Sequence, residues 1–184
     1  LGYFEPYIEK KIGSLVGNMM LKSGQQDIAE ANGLLPFELL VLDPTRTICE
    51  KIMSMVRFSY GENPIDVLKK KVRHTYDLHQ LLQQMEFSDF FDSAAFSAML
   101  LKVANDDVAS YKNSNEWLIY HPNEAIIFKN LEKVWEELKI VYKGDFKNLV
   151  YGTLPDDANI LATLMRIKDR LSLIKWTIKI VKQG

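Results

Sequence analysis

The chain holds 184 residues, 47% of them apolar and 26% charged, with 23 Lys plus Arg against 24 Asp plus Glu. That length fits one domain with a core needing no metal or disulfide staple, and a net charge of −1 excludes a global field drawing the chain onto nucleic acid or anionic lipid. Cys49 is the only cysteine, which excludes an internal disulfide and a multi-cysteine zinc site, and no apolar run approaches the ~18 residues of a membrane helix.

The chain opens at Leu1-Gly-Tyr-Phe-Glu-Pro6, apolar and aromatic where a free terminus is ordinarily polar, and so reads as the continuation of a longer protein. Ile8, Ile12, Leu15, Val16, Met19 and Met20 recur at helical spacing, so residues 7–22 are expected as one amphipathic helix ending at Ser23-Gly24. Asn32-Gly33 and Pro36 bracket a loop before Phe37–Leu42, a short apolar run and the single expected strand. One strand makes no sheet. Its partners are expected outside these residues, in another chain, or in a stretch without a strand pattern.

Asp43-Pro44 pairs an N-cap residue with proline at the first helical position, and Ile48, Ile52, Met55 and Val56 follow on one face until Tyr60-Gly61. Asn63-Pro64 repeats the signal for a helix running to about residue 85, and residues 88–111 form the next, with Phe96, Leu100 and Val103 on one side. After the polar loop 112–116, residues 117–122 are expected to cross the surface in extended form. Residues 131–141 form a short helix burying Val134, Leu138 and Val141. The last helix follows Pro155, with Ile160, Leu164, Ile167, Leu171, Ile174 and Ile178 in steps of four and three. Asp156 and Asp157 open it and Lys175, Lys179 and Lys182 close it, as a helix dipole favours. The expected fold class is therefore mainly α with a minor β element.

Lys51 lies inside the apolar stripe of its helix, where an amine must either snorkel to a nearby carboxylate or grip an anion such as phosphate. Asp77 stands one turn after Arg73, an arrangement that makes either a surface helix pair or an acid held at the rim of a site. His74 and His79 lack metal-ligand partners at useful spacing and are expected as satisfied structural histidines. Asp107 continues the Phe96 stripe and is expected as a partly buried, hydrogen-bonded acid near Tyr111. The run Lys69-Lys-Lys-Val-Arg73 is the most basic local patch, either a solvated helix face or a contact for an RNA backbone.

Glu50-Lys51-Ile52 after the Phe37–Leu42 strand, followed by Arg73 with Asp77-Leu78, resembles the AbiEii/AbiGii-type nucleotidyltransferase toxins. In that family a strand leads into a helix bearing Glu-Lys-Ile/Leu, and a second helix carries Arg-x-x-x-Asp-Leu. The likeness extends more loosely through Val103–Val108 and Asn115–Leu118 into the last helix. It implies a toxin of a bacterial toxin–antitoxin or abortive-infection system, transferring a nucleotide from an NTP to an acceptor. Transfer RNA or another RNA is the implied acceptor, a cognate antitoxin an implied partner, and the cytoplasm the implied compartment. Lys51 and Asp77 would be catalytic, Lys51 on the triphosphate and Asp77 as the late acid of the site. Arg73 would bind substrate or orient Asp77, and Glu50 would be structural.

The family also has a Gly-Ser segment and an Asp-x-Asp pair that holds magnesium, and no Asp-x-Asp occurs in this sequence. The resemblance therefore implies the helical C-terminal portion of an α+β nucleotidyltransferase. Residues 1–42 would be a remnant of the transferase core ending in a strand, and 43–184 a helical domain. Mg²⁺ and NTP would belong to the intact protein, with no metal ligand in this chain and no activity for the chain alone. The competing expectation is a non-catalytic helical protein-interaction module. If Lys51 and Asp77 share a site, their helices pack side by side with the amine and carboxylate within ~12 Å, counted at the helical rise.

Overall fold

The computed structural model describes residues 5–111 and 114–180. The chain divides into two compact units, Leu1–Pro44 and Thr45–Gly184. Lys112 and Asn113 of the expected polar loop lie outside the described residues, as does Lys182.

The first unit holds β1 (Tyr7–Ile12), α1 (Leu15–Lys22), α2 (Gln26–Ala31) and β2 (Phe37–Leu42). The strands pair antiparallel, from Tyr7 opposite Leu42 to Ile12 opposite Phe37. One expectation is corrected here: residues 7–22 are not one helix. The partner of Phe37–Leu42 is the third of the expected places, a stretch of this chain without a strand pattern. The split falls at Gly13-Ser14, where Ser14 Oγ accepts from Gly17 N at 2.9 Å and starts α1 afresh. Upstream, the aromatic and β-branched Tyr7, Ile8 and Ile12 suit a strand, and pairing with β2 overrides the helical period. Gly24 and Gly33 follow α1 and α2 at φ 73° and 63°, the left-handed position that ends a helix.

The second unit is helical. It comprises α3 (Pro44–Phe58), α4 (Pro64–Lys70), α5 (Arg73–Leu82), α6 (Met85–Asp92), α7 (Ala94–Ser110), α8 (Ile126–Lys129), α9 (Leu131–Lys143) and α10 (Asp157–Ser172). The expected helix from Pro64 to about 85 is broken after Lys70: Lys71 N and Val72 N bond back three residues, to Leu68 O and Lys69 O. That tighter turn re-aims the chain, and α5 sets out on its own axis. The expected helix 88–111 is likewise two. Ser93 separates them, its Oγ accepting from Ala95 N at 3.2 Å and donating to Phe90 O at 2.7 Å. Arg170 of α10 then donates to Phe91 O and Ser93 O at 3.0 and 2.7 Å, taking up carbonyls that the end of α6 leaves without helical partners.

Residues 117–122 are not extended over the surface. Glu116–Ile119 is a 3-10 turn that buries Trp117 and Leu118. In α9, Val134 and Leu138 are buried as expected, and Val141 is half-buried. The expected face of α10 is fully sealed at Ile160, Leu164, Ile167 and Leu171. The helix stops at Ser172, however, and Ile174 and Ile178 are buried from a non-helical tail. Lys175 and Lys179 therefore do not close a helix. The tail is tied down by Trp176, whose Nε1 donates to Leu118 O at 2.7 Å. Among the described residues no helix is long and apolar enough to cross a membrane.

Candidate functional site

α3 and α5 bring the two motif residues into contact. Lys51 Nζ lies 2.7 Å from Asp77 Oδ2, with the two side chains 21% and 19% exposed. Arg73 Nε reaches the same oxygen at 3.5 Å from a well-exposed position. One carboxylate oxygen is thus shared by two cations. The separation is far inside the ~12 Å expected from counting helical rise along continuous helices. The break at Lys71 and Val72 accounts for the difference, because α5 no longer extends the axis of α4. The snorkelling expectation for Lys51 is met, its carboxylate being Asp77.

One turn along each helix sits a second polar pair. Ser54 Oγ is 3.4 Å from His74 Nε2, at the long limit of a hydrogen bond, while His74 Nδ1 is enclosed without a partner. His74 is therefore not a fully satisfied structural histidine. Burial, reinforced by the Lys51 charge, pushes its pKa down to about 4, so the ring is neutral at pH 7. His79 differs: its Nδ1 is 2.8 Å from Thr163 Oγ1, and burial lowers its pKa.

A buried guanidinium flanks the site and was not among the expected residues. Arg46 is 1% exposed, with Nε 2.8 Å from Glu50 Oε1 and Nη1 2.8 Å from Asp106 Oδ2. Burial opposes its charge, but the bonds to Glu50 and Asp106 outweigh that effect and raise its pKa. Glu50 therefore serves Arg46. The signal was present in the row Arg46, Cys49, Met53, Val56, whose steps of three and four widen the buried face of α3. Asp107 is half-buried near Arg57, which lies over the Tyr111 ring at 4.5 Å. No side-chain hydrogen bond to Asp107 is seen among the described residues, contrary to expectation. Burial pushes its pKa up to about 6. In the basic run, Lys69 is paired with Glu137 at 2.9 Å and Lys71 lies 5.1 Å from the Phe58 ring centre.

A magnesium ion needs several oxygen ligands free of competing cations. Asp77 is already shared by Lys51 and Arg73, and among the described residues no group of three or more His, Cys, Asp or Glu could hold a metal ion. The Lys51, Arg73 and Asp77 cluster thus does not fit a magnesium ion.

No curated protein and no solved structure matches the chain. The family model described as nucleotidyl transferase AbiEii toxin, type IV TA system, matches residues 4–162, which is most of the chain, and the protein belongs to that family.

Proposed function

We propose that the chain supplies the triphosphate-gripping, acceptor-facing part of a site that moves a nucleotide from an NTP onto RNA, with transfer RNA the first acceptor to test. The observation that carries this reading is the Lys51–Asp77 contact at 2.7 Å, made by the two residues on which the sequence resemblance rests. In the reaction an acceptor oxygen attacks the α-phosphorus, the bond to the β-phosphate oxygen breaks, and pyrophosphate departs. Lys51 offsets the charge that develops on the phosphates. To do so its amine must leave Asp77, and the incoming triphosphate competes for it. Asp77, still beside Arg73, is then open to take the acceptor's proton, and Arg73 orients it. NTP and RNA as substrates fit a bacterial cytoplasm, and a toxin of this class implies an antitoxin partner. The helical portion that these residues form, with 43–184 as its helical domain and 1–42 as core remnant, would complete its site with a segment carrying the Asp-x-Asp pair.

A radiolabelled NTP offered with RNA and Mg²⁺ tests both halves of the proposal. The 184-residue chain alone should leave RNA unlabelled, and NTP binding by the protein completed with its Asp-x-Asp segment should weaken about tenfold as Lys51→Met, the loss expected for one charge-assisted contact. Protein-dependent labelling of RNA would overturn the incomplete-site argument. Equal NTP binding by Lys51→Met would overturn the assignment of Lys51. The second reading, a non-catalytic interaction module, rests on the exposed Leu15, Val16 and Met19 of α1. It requires that Lys51→Met change nothing while substitutions on α1 abolish partner capture.

A further inference from the structure

α3 and α5 meet across two polar rungs, and the transfer reading uses only one of them. Beside the Lys51–Asp77 contact, Ser54 Oγ of α3 lies 3.4 Å from His74 Nε2 of α5. Lys51 and Ser54 are three apart on one helix, and His74 and Asp77 are three apart on the other, so the four side chains share a seam. All four are partly exposed, so solvent reaches it.

Ser54 is oriented unlike other helical serines of this chain. A hydroxyl inside a helix commonly donates back to the carbonyl four residues earlier, as Ser59 does to Met55 O and Ser110 to Asp106 O, both at 2.9 Å. Ser54 makes no such bond to Glu50 O, and its one hydrogen-bond neighbour among the described residues is the His74 ring. A structural rung would satisfy both ring nitrogens, yet His74 Nδ1 is enclosed without a partner. A hydroxyl set against a neutral imidazole is instead the arrangement of a nucleophile and its base. The 3.4 Å separation is loose, as such pairs often are before the reacting group is in place. Burial is the first cause of the neutral ring, and the Lys51 charge is the second. A polyphosphate on Lys51 offsets that charge, so the ring becomes a better base as the phosphorus arrives.

We propose that Ser54 is a site of self-nucleotidylation: with a triphosphate held on Lys51, Ser54 Oγ attacks the α-phosphorus, its proton passes to His74 Nε2, and pyrophosphate departs. The product is a phosphodiester joining Ser54 to a nucleoside monophosphate, and His74 returns its proton to water. Side chains three apart on a helix have Cβ atoms about 5–6 Å apart, a separation that a triphosphate spans. The attached nucleotide fills the seam beside Lys51 and shuts out the next NTP, so the modification turns the site off. The inference rests on the transfer reading for the placing of the triphosphate, and adds to it an acceptor within the chain and a means of regulation.

The test uses the protein completed with its Asp-x-Asp segment, incubated with Mg²⁺ and each of ATP, GTP, CTP and UTP, then digested with trypsin. Cleavage after Lys51 and Arg57 releases residues 52–57, Ile-Met-Ser-Met-Val-Arg, in which Ser54 carries the only hydroxyl. With at least one NTP that peptide should gain the mass of a nucleoside monophosphate, and it should carry label from the α-phosphate but not from the γ-phosphate. After preincubation with that NTP, RNA labelling should fall in proportion to the fraction of chains modified. In Ser54→Ala the added mass should be absent, and preincubation should no longer lower RNA labelling. His74→Gln should slow the modification about a hundredfold, the low end for loss of a general base, with helical circular dichroism unchanged. RNA labelled while residues 52–57 stay unmodified would overturn the self-modification and leave the transfer reading standing. Attachment at another residue in place of Ser54, or an unchanged rate in His74→Gln, would overturn it too. Neither RNA nor peptide labelled would overturn both.

Discussion

Replacing Arg46 with methionine should lower the unfolding free energy by about 3 kcal/mol, within the range for removing one partner of a buried ion pair. The side chain is 1% exposed, and its loss leaves Glu50 and Asp106 facing each other without the cation between them. Lys102, 3.7 Å from Asp106, remains to offset part of that repulsion, which keeps the expected cost below the upper end of the range. In urea the midpoint should fall by about 1–2 M, given an ordinary dependence of stability on denaturant. Adding Glu50→Gln and Asp106→Asn to Arg46→Met should recover part of the loss, because no buried charge is then left uncompensated. A midpoint shift under 0.3 M, roughly 0.5 kcal/mol, would mean that the triad is not the anchor the geometry describes.

The second large effect is hidden in the unmodified protein, where two titrations oppose each other. His74, beside Lys51, Asp77, Lys71 and Arg73, has its pKa lowered from 6.5 to about 4, with burial the largest cause. Between those values the unfolded state binds the extra proton, so stability is lost as pH falls. Asp107, beside Arg57, Glu50, Arg46 and Asp106, has its pKa raised from 3.8 to about 6, again chiefly by burial. There the folded state binds the extra proton, so stability is gained as pH falls. Each contributes about 2 kcal/mol after discounting for partial solvent screening. From about pH 6 down to 4.5 the two slopes nearly cancel. Asp107→Asn should therefore be more stable than the parent at pH 7 and lose stability on acidification. His74→Gln should gain stability over the same interval. Parallel melting curves for parent and both variants from pH 7 to 4.5 would remove the basis for both assignments.

Particular residues show what was legible and why. Lys51 and Asp77 could be paired from the sequence because motif order and a short connection fix neighbouring helices, whatever the axial offset. Their direct contact could not, since the break at Lys71 and Val72 carries neither Gly nor Pro to announce it. β1 was hidden because Ile8 and Ile12 are four apart and satisfy a helix as well as one face of a strand. Long-range pairing with β2 decided between them. Ile174 and Ile178 kept the helical step beyond the end of α10 because periodicity reports burial, and a non-helical tail can bury residues too. Arg46 escaped notice because an arginine beside the apolar stripe looks like its solvated border until Asp106, 60 residues away, arrives to meet it.

Cys49 sits two residues before Lys51 on α3, fully sealed, with burial first and the Glu50 charge second holding the thiol protonated. A reagent can reach it only when α3 lifts from its neighbours, and the thiol must ionise in the same event. Its alkylation rate is thus a clock for the opening of the segment that carries Lys51. As the only sulfhydryl in the chain, it reads that opening without background. A ligand that draws the Lys51 amine away without loosening α3 leaves the clock running at its old speed. One that must pry the helices apart makes it run fast.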